Sequence, residues 1–247
     1  MANFYENRVV IEVKGYEIYF TRFSDSILSD HFKEATDDLK YVLDGFHISE
    51  NQIVEGGGGL SSITQNLRDR LYEKGWNKIN IKSEQRVRDR VLSSESHEID
   101  HYKEFEKGNI GLEIEWNNKD PFFDRDLENF RKLHQLGELT LGIIITRGET
   151  LQKELLNVFH RFLISLRPEK IEEISEHISL SVKDQAIIKN MLTDTDVNTY
   201  MAIARKIYTS KFGSTTTHMD KLHLRINRGV GNPCPLIMIG IGKDRLT

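Results

Sequence analysis

The sequence predicts an α/β fold in which helices flank a central mixed β-sheet. Residues 110–116 alternate apolar and acidic side chains, as in a strand with one buried face. Residues 139–146 are almost entirely apolar, which is typical of a strand covered on both faces. Between them, apolar residues recur at helical spacing from about Asp124 to Leu136, and Gly137 follows as a stop signal. Strand, helix and strand in this order indicate a βαβ-like unit.

The N-terminal half is predicted to add further strands and helices. The predicted elements are a hairpin over residues 8–20 with strands at 9–13 and 16–20, helices over 29–43 and 61–74, and a short strand at 79–81. Lys14-Gly15 is the expected turn of the hairpin, and Gly75 the stop signal of the second helix. The four glycines at 56–59 are predicted to form a flexible connector.

The C-terminal half is predicted to hold a helical block followed by a buried strand. The block covers approximately residues 150–210, with helices over 151–166, 170–178, 183–192 and 197–208. A loop rich in Gly, Ser and Thr follows at 212–217, and residues 235–241 form an apolar strand. Since sheet strands lie on both sides of the block, we interpret it as an insertion within a single domain that spans residues 1–247.

Composition excludes several classes of protein. The chain of 247 residues has one cysteine, Cys234, so neither a disulfide framework nor a cysteine-based zinc site is expected. There is no apolar run of about 18 residues and no signal-peptide pattern, so we expect a soluble, cytoplasmic protein. The net charge of −4 does not decide for or against nucleic acid, because a basic cleft can form locally in an acidic protein.

Three carboxylates form the pattern that carries chemistry. Glu113 and Glu115 lie two residues apart on a predicted strand, so both side chains point to the same side. They repel each other unless a cation lies between them, and with Asp100 they form the all-oxygen set that Mg²⁺ selects. Such an ion could activate water for phosphodiester cleavage. The alternative is one solvated face of an antiparallel sheet, but the buried opposite face and the apolar strand that follows favour a site.

Two segments around these carboxylates are similar to type II restriction endonucleases of the BamHI/BglII/BstYI kind. Residues 99–105 (IDHYKEF) followed by 111–115 (GLEIE) resemble the active-site segment of this group. Residues 71–76 (LYEKGW) and 235–241 (PLIMIGI) resemble further segments. The resemblance covers roughly residues 60–147 and 215–241, and leaves the N-terminal hairpin and most of the helical block unmatched.

The resemblance implies a PD-(D/E)XK nuclease with a restriction-endonuclease-like sheet. It implies that Asp100 and Glu113 are Mg²⁺ ligands and that Glu115 is catalytic, as a ligand, as a general base or by orienting the water. Most of the superfamily has lysine at the position of Glu115, and because glutamate cannot supply that positive charge, a second metal ion is expected. A homodimer acting on a palindrome in double-stranded DNA is implied, with GATC in the site by resemblance alone, and a cognate DNA methyltransferase in the same system.

Two segments are predicted to contact DNA. In the group, the loop and helix after the Glu-X-Glu strand enter the major groove, which makes Asn118, Lys119 and Arg125 candidates. The alternative is an ordinary turn at residues 118–121. The second segment offers hydroxyls and cations that suit phosphates; its candidates are Thr217, His218 and Lys221. The basic cluster over residues 82–90 suits phosphates and solvated surface equally.

Two other functions stay open from the sequence. One is a DNA repair or junction nuclease of the same superfamily, and the other is a catalytically inactive DNA-binding protein. The intact set of Asp100, Glu113 and Glu115 argues against the inactive protein.

Overall fold

A computed structural model describes residues 4–6, 10–55, 61–193 and 197–247. The described strands are β1 (Tyr5–Glu6), β2 (Tyr16–Phe20), β3 (Asn77–Val87), β4 (Arg90–Phe105), β5 (Gly108–Glu115), β6 (Leu141–Arg147) and β7 (Leu236–Ile241). They form one sheet in the order β1-β2-β7-β6-β5-β4-β3. β5, β6 and β7 pair in parallel, and the other neighbours are antiparallel. The prediction of a central mixed sheet is confirmed.

Helices connect the strands and cover the sheet. Those in the described part of the chain are α1 (Ser24–His31), α2 (Lys33–Asp44), α3 (Glu50–Glu55), α4 (Ser62–Glu73), α5 (Phe122–Gln135), α6 (Glu149–Leu166), α7 (Ile171–Ser175), α8 (Val182–Met191), α9 (Val197–Phe212) and α10 (Met219–Asn227). α5 joins the parallel strands β5 and β6, which confirms the βαβ unit. α6 to α9 follow β6, where the helical block was expected.

Each face of the sheet has its own apolar core. On the first face, Leu112 and Ile114 of β5 belong to a core that includes residues of α2, α4 and α6. On the second face, Ile144 of β6 packs with Phe130 of α5 and Met219 of α10. Because strand side chains alternate, Glu113 and Glu115, on either side of Ile114, point to the other face of the sheet, toward α5. The helix that covers the predicted catalytic carboxylates is therefore α5.

A pair of glycines allows α5 to lie close to the sheet. Gly111 and Gly142 are register partners in β5 and β6. A Cβ atom on Gly142 would lie 2.5 Å from a ring carbon of Phe130, and one on Gly111 would lie 3.1 Å from the same ring. The Phe130 side chain thus rests on the glycine pair, which sets the distance of α5 from β5.

The predicted N-terminal hairpin is wrong in its first strand. Residues 16–20 form β2 as predicted, but the antiparallel neighbours of β2 are β1 and β7. Residues 10–13 are not in a strand, because the N–H of Val13 donates to the carbonyl of Ile11 in a tight turn and the Ile11 side chain enters the core. The remainder of the predicted first strand, and the glycines at 56–59, lie outside the described residues.

Two other predictions require correction. The single helix predicted over 29–43 is divided into α1 and α2, because Phe32 leaves helical backbone geometry at φ −129° and buries its ring. The strand predicted at 79–81 is part of a longer hairpin, β3 and β4, in which Ile79 and Ile81 are partly buried, and β4 was not predicted. The outer half of this hairpin is exposed, so it lacks the apolar alternation that identifies strands. Its exposed cations are Lys82, Arg86, Arg88 and Arg90.

We expect Gly142→Ala to lower the free energy of unfolding by about 1–3 kcal/mol, the usual cost of overpacking, since the new methyl group meets the Phe130 ring. Urea denaturation measures the loss. In the double variant with Phe130→Leu, the free energy of unfolding should fall by less than the sum of the losses in the two single variants. Gly45→Ala is the control, because its methyl group meets only the flexible end of Arg70. A Gly142→Ala protein as stable as the wild type would show that α5 does not rest on the glycines.

Candidate active site

A bulge in β4 sets the position of Asp100. Within the β3–β4 ladder, Asp100 and His101 together oppose the single residue Lys78. The β4–β5 ladder ends at the pair of His101 and Leu112, and the N–H of Asp100 donates instead to Oε1 of Glu113 at 3.3 Å. Bulges interrupt strand pairing and redirect side chains. β4 and β5 therefore diverge at Asp100, and a cavity opens at this point.

Three carboxylates are buried beneath the divergence. Glu113 and Glu115 of β5 are 3% and 2% exposed, and Asp126 of α5 is 1% exposed. Asp100 is different, because half of its side chain is exposed. The predicted same-side arrangement of Glu113 and Glu115 thus places both in the layer between β5 and α5. The third buried acid, Asp126, was not predicted from the sequence.

Asp126 could have been found from its position on the helix. It lies three residues after Phe123 and four before Phe130, within the apolar stripe of α5. An aspartate at such a position is almost never fully buried unless it has a partner. The pattern within α5 marks the residue as unusual, but only the packing of α5 on β5 shows that its neighbour is Glu115.

Burial and mutual repulsion raise the pKa of all three buried carboxyl groups. For Glu113, burial raises the pKa well above its ordinary value, and the charges of Asp126, Asp100 and Glu115 add to the effect. Burial also raises the pKa of Glu115, as does its hydrogen bond with Asp126. The pKa of Asp126 is raised by burial against the opposing effect of Arg125. Without a cation, the cluster therefore retains protons that exposed carboxylates would release.

Two neighbouring side chains hold the cluster in place. Asn118 Nδ2 donates to Glu115 Oε2 at 2.8 Å. The Arg125 guanidinium donates to Asp126 Oδ1 at 2.7 Å and lies 3.6 Å from Glu115 Oε1. Both residues were predicted to contact DNA, and the side chains of both contact the carboxylates. Whether they also contact DNA stays a prediction.

The cavity beside the cluster has a volume of about 360 Å³ and a mixed lining of acids and cations. Its acids are Asp100 and Glu115, and its cations are Arg68 of α4, Lys78 of β3 and Arg125 of α5. His101 also lines it, and burial lowers the pKa of this histidine to about 4, so its ring is neutral at neutral pH. A cavity with this lining can accept a phosphate group beside carboxylates.

The donor set fits Mg²⁺ in a partly hydrated form. Among the described residues, no group of three or more His, Cys, Asp or Glu side chains converges as a complete metal site. Mg²⁺ is commonly held by one or two carboxylates, with waters and substrate phosphate completing the shell. Asp100 and Glu113 offer oxygen atoms only, and their contact through the Asp100 N–H keeps them adjacent. A cation there would also relieve the repulsion that raises the pKa of Glu113.

The two segments predicted to contact DNA are paired with each other. Lys119 and Thr216 form an antiparallel bridge. The N–H of Thr217 donates to the carbonyl of Asn118 at 2.9 Å, and the N–H of Asn118 donates to the Thr217 hydroxyl at 3.1 Å. Segments that are about one hundred residues apart in sequence therefore form one surface next to the cavity.

The residues of the second segment differ in their exposure. Thr217 is fully buried, and its carbonyl accepts hydrogen bonds from the buried Arg147 guanidinium at 2.7 and 3.1 Å. His218 is also buried at the start of α10, and burial lowers its pKa to about 4. Lys221 is partly exposed, with its Nζ 3.8 Å from Asp120 Oδ2. Thr217 and His218 thus support the paired segments, and Lys221 has the most accessible side chain of the three.

Comparison with models of known protein families identifies the family of the chain. A family model described as Restriction endonuclease BglII/BglIII matches residues 16–241. The chain belongs to this restriction endonuclease family. It is therefore a type II restriction endonuclease, a site-specific deoxyribonuclease that binds double-stranded DNA. A comparison with curated proteins found no match. In the described part of the chain, no helix is both long and apolar enough to cross a membrane.

We expect Glu113→Gln to stabilise the metal-free protein at neutral pH. Because folding raises the pKa of Glu113, the folded state keeps a proton that the unfolded state releases above its ordinary pKa. The stability of the wild type therefore falls as the pH rises through this range, and glutamine removes the loss.

Urea denaturation in EDTA between pH 5 and 8 measures this effect. The advantage of Glu113→Gln should widen with pH and reach about 1 kcal/mol or more, since one pKa unit corresponds to about 1.4 kcal/mol. Glu104→Gln, a change of an exposed glutamate on β4, is the control. If the difference in stability between Glu113→Gln and the wild type does not change with pH, the raised pKa of Glu113 is contradicted.

Proposed function

We propose that this restriction endonuclease is Mg²⁺-dependent and that Asp100, Glu113 and Glu115 form its catalytic centre. The observation that carries the proposal is the divergence of β4 and β5 at Asp100. It places one exposed and two buried carboxylates beside a cavity that also contains cations. The family membership favours restriction over the repair or junction nuclease that the sequence left open.

Each carboxylate has a distinct position relative to the cavity. Asp100 and Glu113 would hold the ion, with Asp100 at the accessible edge and Glu113 beneath it. Mg²⁺ held there would supply Lewis acidity for the attacking water and for the charge on the phosphate. Glu115 lines the cavity and can accept a hydrogen bond or a proton from the attacking water. Asn118 and Arg125 hold the Glu115 carboxylate in position.

The assembly and its partners are also part of the proposal. A homodimer would place one active site on each strand of a short palindrome. The resemblance to enzymes that cut at GATC-containing sites supports a site of this kind, and a cognate DNA methyltransferase would protect the host DNA in the cytoplasm. The residues proposed to contact DNA are Asn118, Lys119, Arg125, Thr217, His218 and Lys221. We propose a single nuclease domain over residues 1–247, with the helices of approximately residues 150–210 as an insertion.

We expect Asp100→Ala and Glu113→Ala to abolish cleavage of plasmid DNA in Mg²⁺. DNA binding should be retained or tightened, because each change removes negative charge near phosphates. Ca²⁺ should support binding with little cleavage. Gel-based cleavage and fluorescence anisotropy measure the two properties, with Glu104→Ala as the matched control on β4. Cleavage by either variant near the wild-type rate, or strong wild-type cleavage in excess EDTA, would refute the proposed centre.

Glu115 is tested by two substitutions. Glu115→Gln keeps the hydrogen bond acceptor but removes the basicity, so the single-turnover rate should fall by roughly 10² if Glu115 accepts a proton. A nearly normal rate would indicate that the residue only orients water. Glu115→Lys should be inactive, because its ammonium group would replace the carboxylate that lies 3.6 Å from the Arg125 guanidinium. An active Glu115→Lys enzyme would show that the carboxylate is not required.

A further inference from the structure

Lys78 of β3 brings an ammonium group to the edge of the carboxylate cluster. Its Nζ lies 3.4 Å from Asp100 Oδ1 and 2.7 Å from Glu98 Oε1. Its side chain is half exposed and lines the cavity together with Asp100 and Glu115. The β4 bulge creates this arrangement, because it sets Lys78 opposite Asp100 and His101 at the point where β4 leaves β5.

The other cations that line the cavity are less suited to contact the reacting phosphate. The Arg125 guanidinium is held by Asp126 through two of its nitrogen atoms and lies over the Phe122 ring. Arg68 pairs with its neighbour Asp69 on α4 and not with the carboxylates of the cluster. Lys78 is the cavity cation that contacts Asp100, and its ammonium group is a compact charge on a flexible stem. It can therefore turn from Asp100 and Glu98 toward a phosphate without a change of the backbone.

We propose that Lys78 is a catalytic residue that contacts a non-bridging oxygen of the scissile phosphate and stabilises the negative charge that develops on it. The inference rests on the proposed catalytic centre. It also provides a source for the positive charge that Glu115 cannot supply. From β3, opposite Asp100, Lys78 would stabilise the charge on the phosphate, as a lysine at the position of Glu115 would from β5.

Lys78 keeps its proton throughout the reaction. The oxygen of a water molecule forms a bond to phosphorus, and the bond from phosphorus to the leaving oxygen breaks. The proton of the water passes to Glu115 or to solvent, and the leaving oxygen takes a proton from solvent. No oxidant or other reactant is needed. Lys78 contributes only electrostatic stabilisation, which is greatest where the charge on the phosphate oxygens increases.

A purely structural role for Lys78 predicts a different outcome. Its ion pairs with Glu98 and Asp100 are about half exposed on each side, and exposed ion pairs contribute little to stability. Lys78→Met should therefore change thermal unfolding only slightly, while the cleavage rate falls. Lys78→Arg keeps the charge and should retain more activity than Lys78→Met, although its larger head group will not reproduce the geometry.

The first experiment measures single-turnover cleavage in Mg²⁺ with enzyme in excess over DNA. We expect Lys78→Met to lose about 10²-fold or more, the scale for removal of one positioned electrostatic group, while its affinity for DNA in Ca²⁺ changes only a few-fold. Lys107→Met, at the exposed turn between β4 and β5, is the matched control and should cleave like the wild type. A Lys78→Met rate equal to that of the control, or a defect that disappears at saturating enzyme, would overturn the proposal.

The second experiment uses DNA with a single sulfur at either non-bridging position of the scissile phosphate. In the wild type, sulfur at the oxygen contacted by Lys78 should slow cleavage. In Lys78→Met the same substitution should have little further effect, whereas the effect of the other stereoisomer should be unchanged. Equal effects in both enzymes would refute the contact. Asp100→Ala, assayed in parallel, separates the two proposals. If Asp100→Ala cleaves DNA, the proposed catalytic centre is wrong. If it does not cleave and Lys78→Met cleaves at the normal rate, only the role of Lys78 is rejected.

Discussion

The burial of like charges between β5 and α5 is the constraint on which the site depends. Glu113, Glu115 and Asp126 are almost completely removed from water, burial raises the pKa of each, and the charge of Asp126 raises the pKa of both glutamates further. One guanidinium, that of Arg125, offsets part of this repulsion. A cation bound beside these carboxylates would relieve the repulsion, so the cost of burying them and the affinity proposed for a metal ion have the same origin.

The close approach of α5 to the sheet maintains this arrangement. Phe130 rests on the paired glycines of β5 and β6, and this contact fixes the helix that carries both Arg125 and Asp126. The same helix covers the second apolar core of the sheet. Packing thus supplies the free energy that offsets the burial of the acids. The position of Asp126 beside the two glutamates therefore depends on this tertiary contact.

The sequence predicts the centre of the sheet well and its edges poorly. β5, α5, β6 and β7 were found because each has a buried face that produces a regular apolar pattern. β4 was not found, because most of its outer half is exposed, yet it carries Asp100. The pair of Glu113 and Glu115 follows from strand alternation alone. The apolar stripe of α5 marks Asp126 as unusual, but its contact with Glu115 follows only from how α5 packs on β5. Lys78 depends on a bulge, which has no periodic signal.

Asn118 links the surface predicted to contact DNA with the carboxylates proposed to be catalytic. Its side-chain amide donates to Glu115, and its backbone pairs with Thr217, which is held in turn by Arg147 at the end of β6. An amide that makes two hydrogen bonds to an adenine presents both its oxygen and its nitrogen to the base. Because Nδ2 of Asn118 carries two hydrogens, it can donate one to Glu115 while the other, together with Oδ1, faces a base. A single side chain would then join the base to the carboxylate proposed to be catalytic, so the position of that carboxylate would depend on whether the base fits.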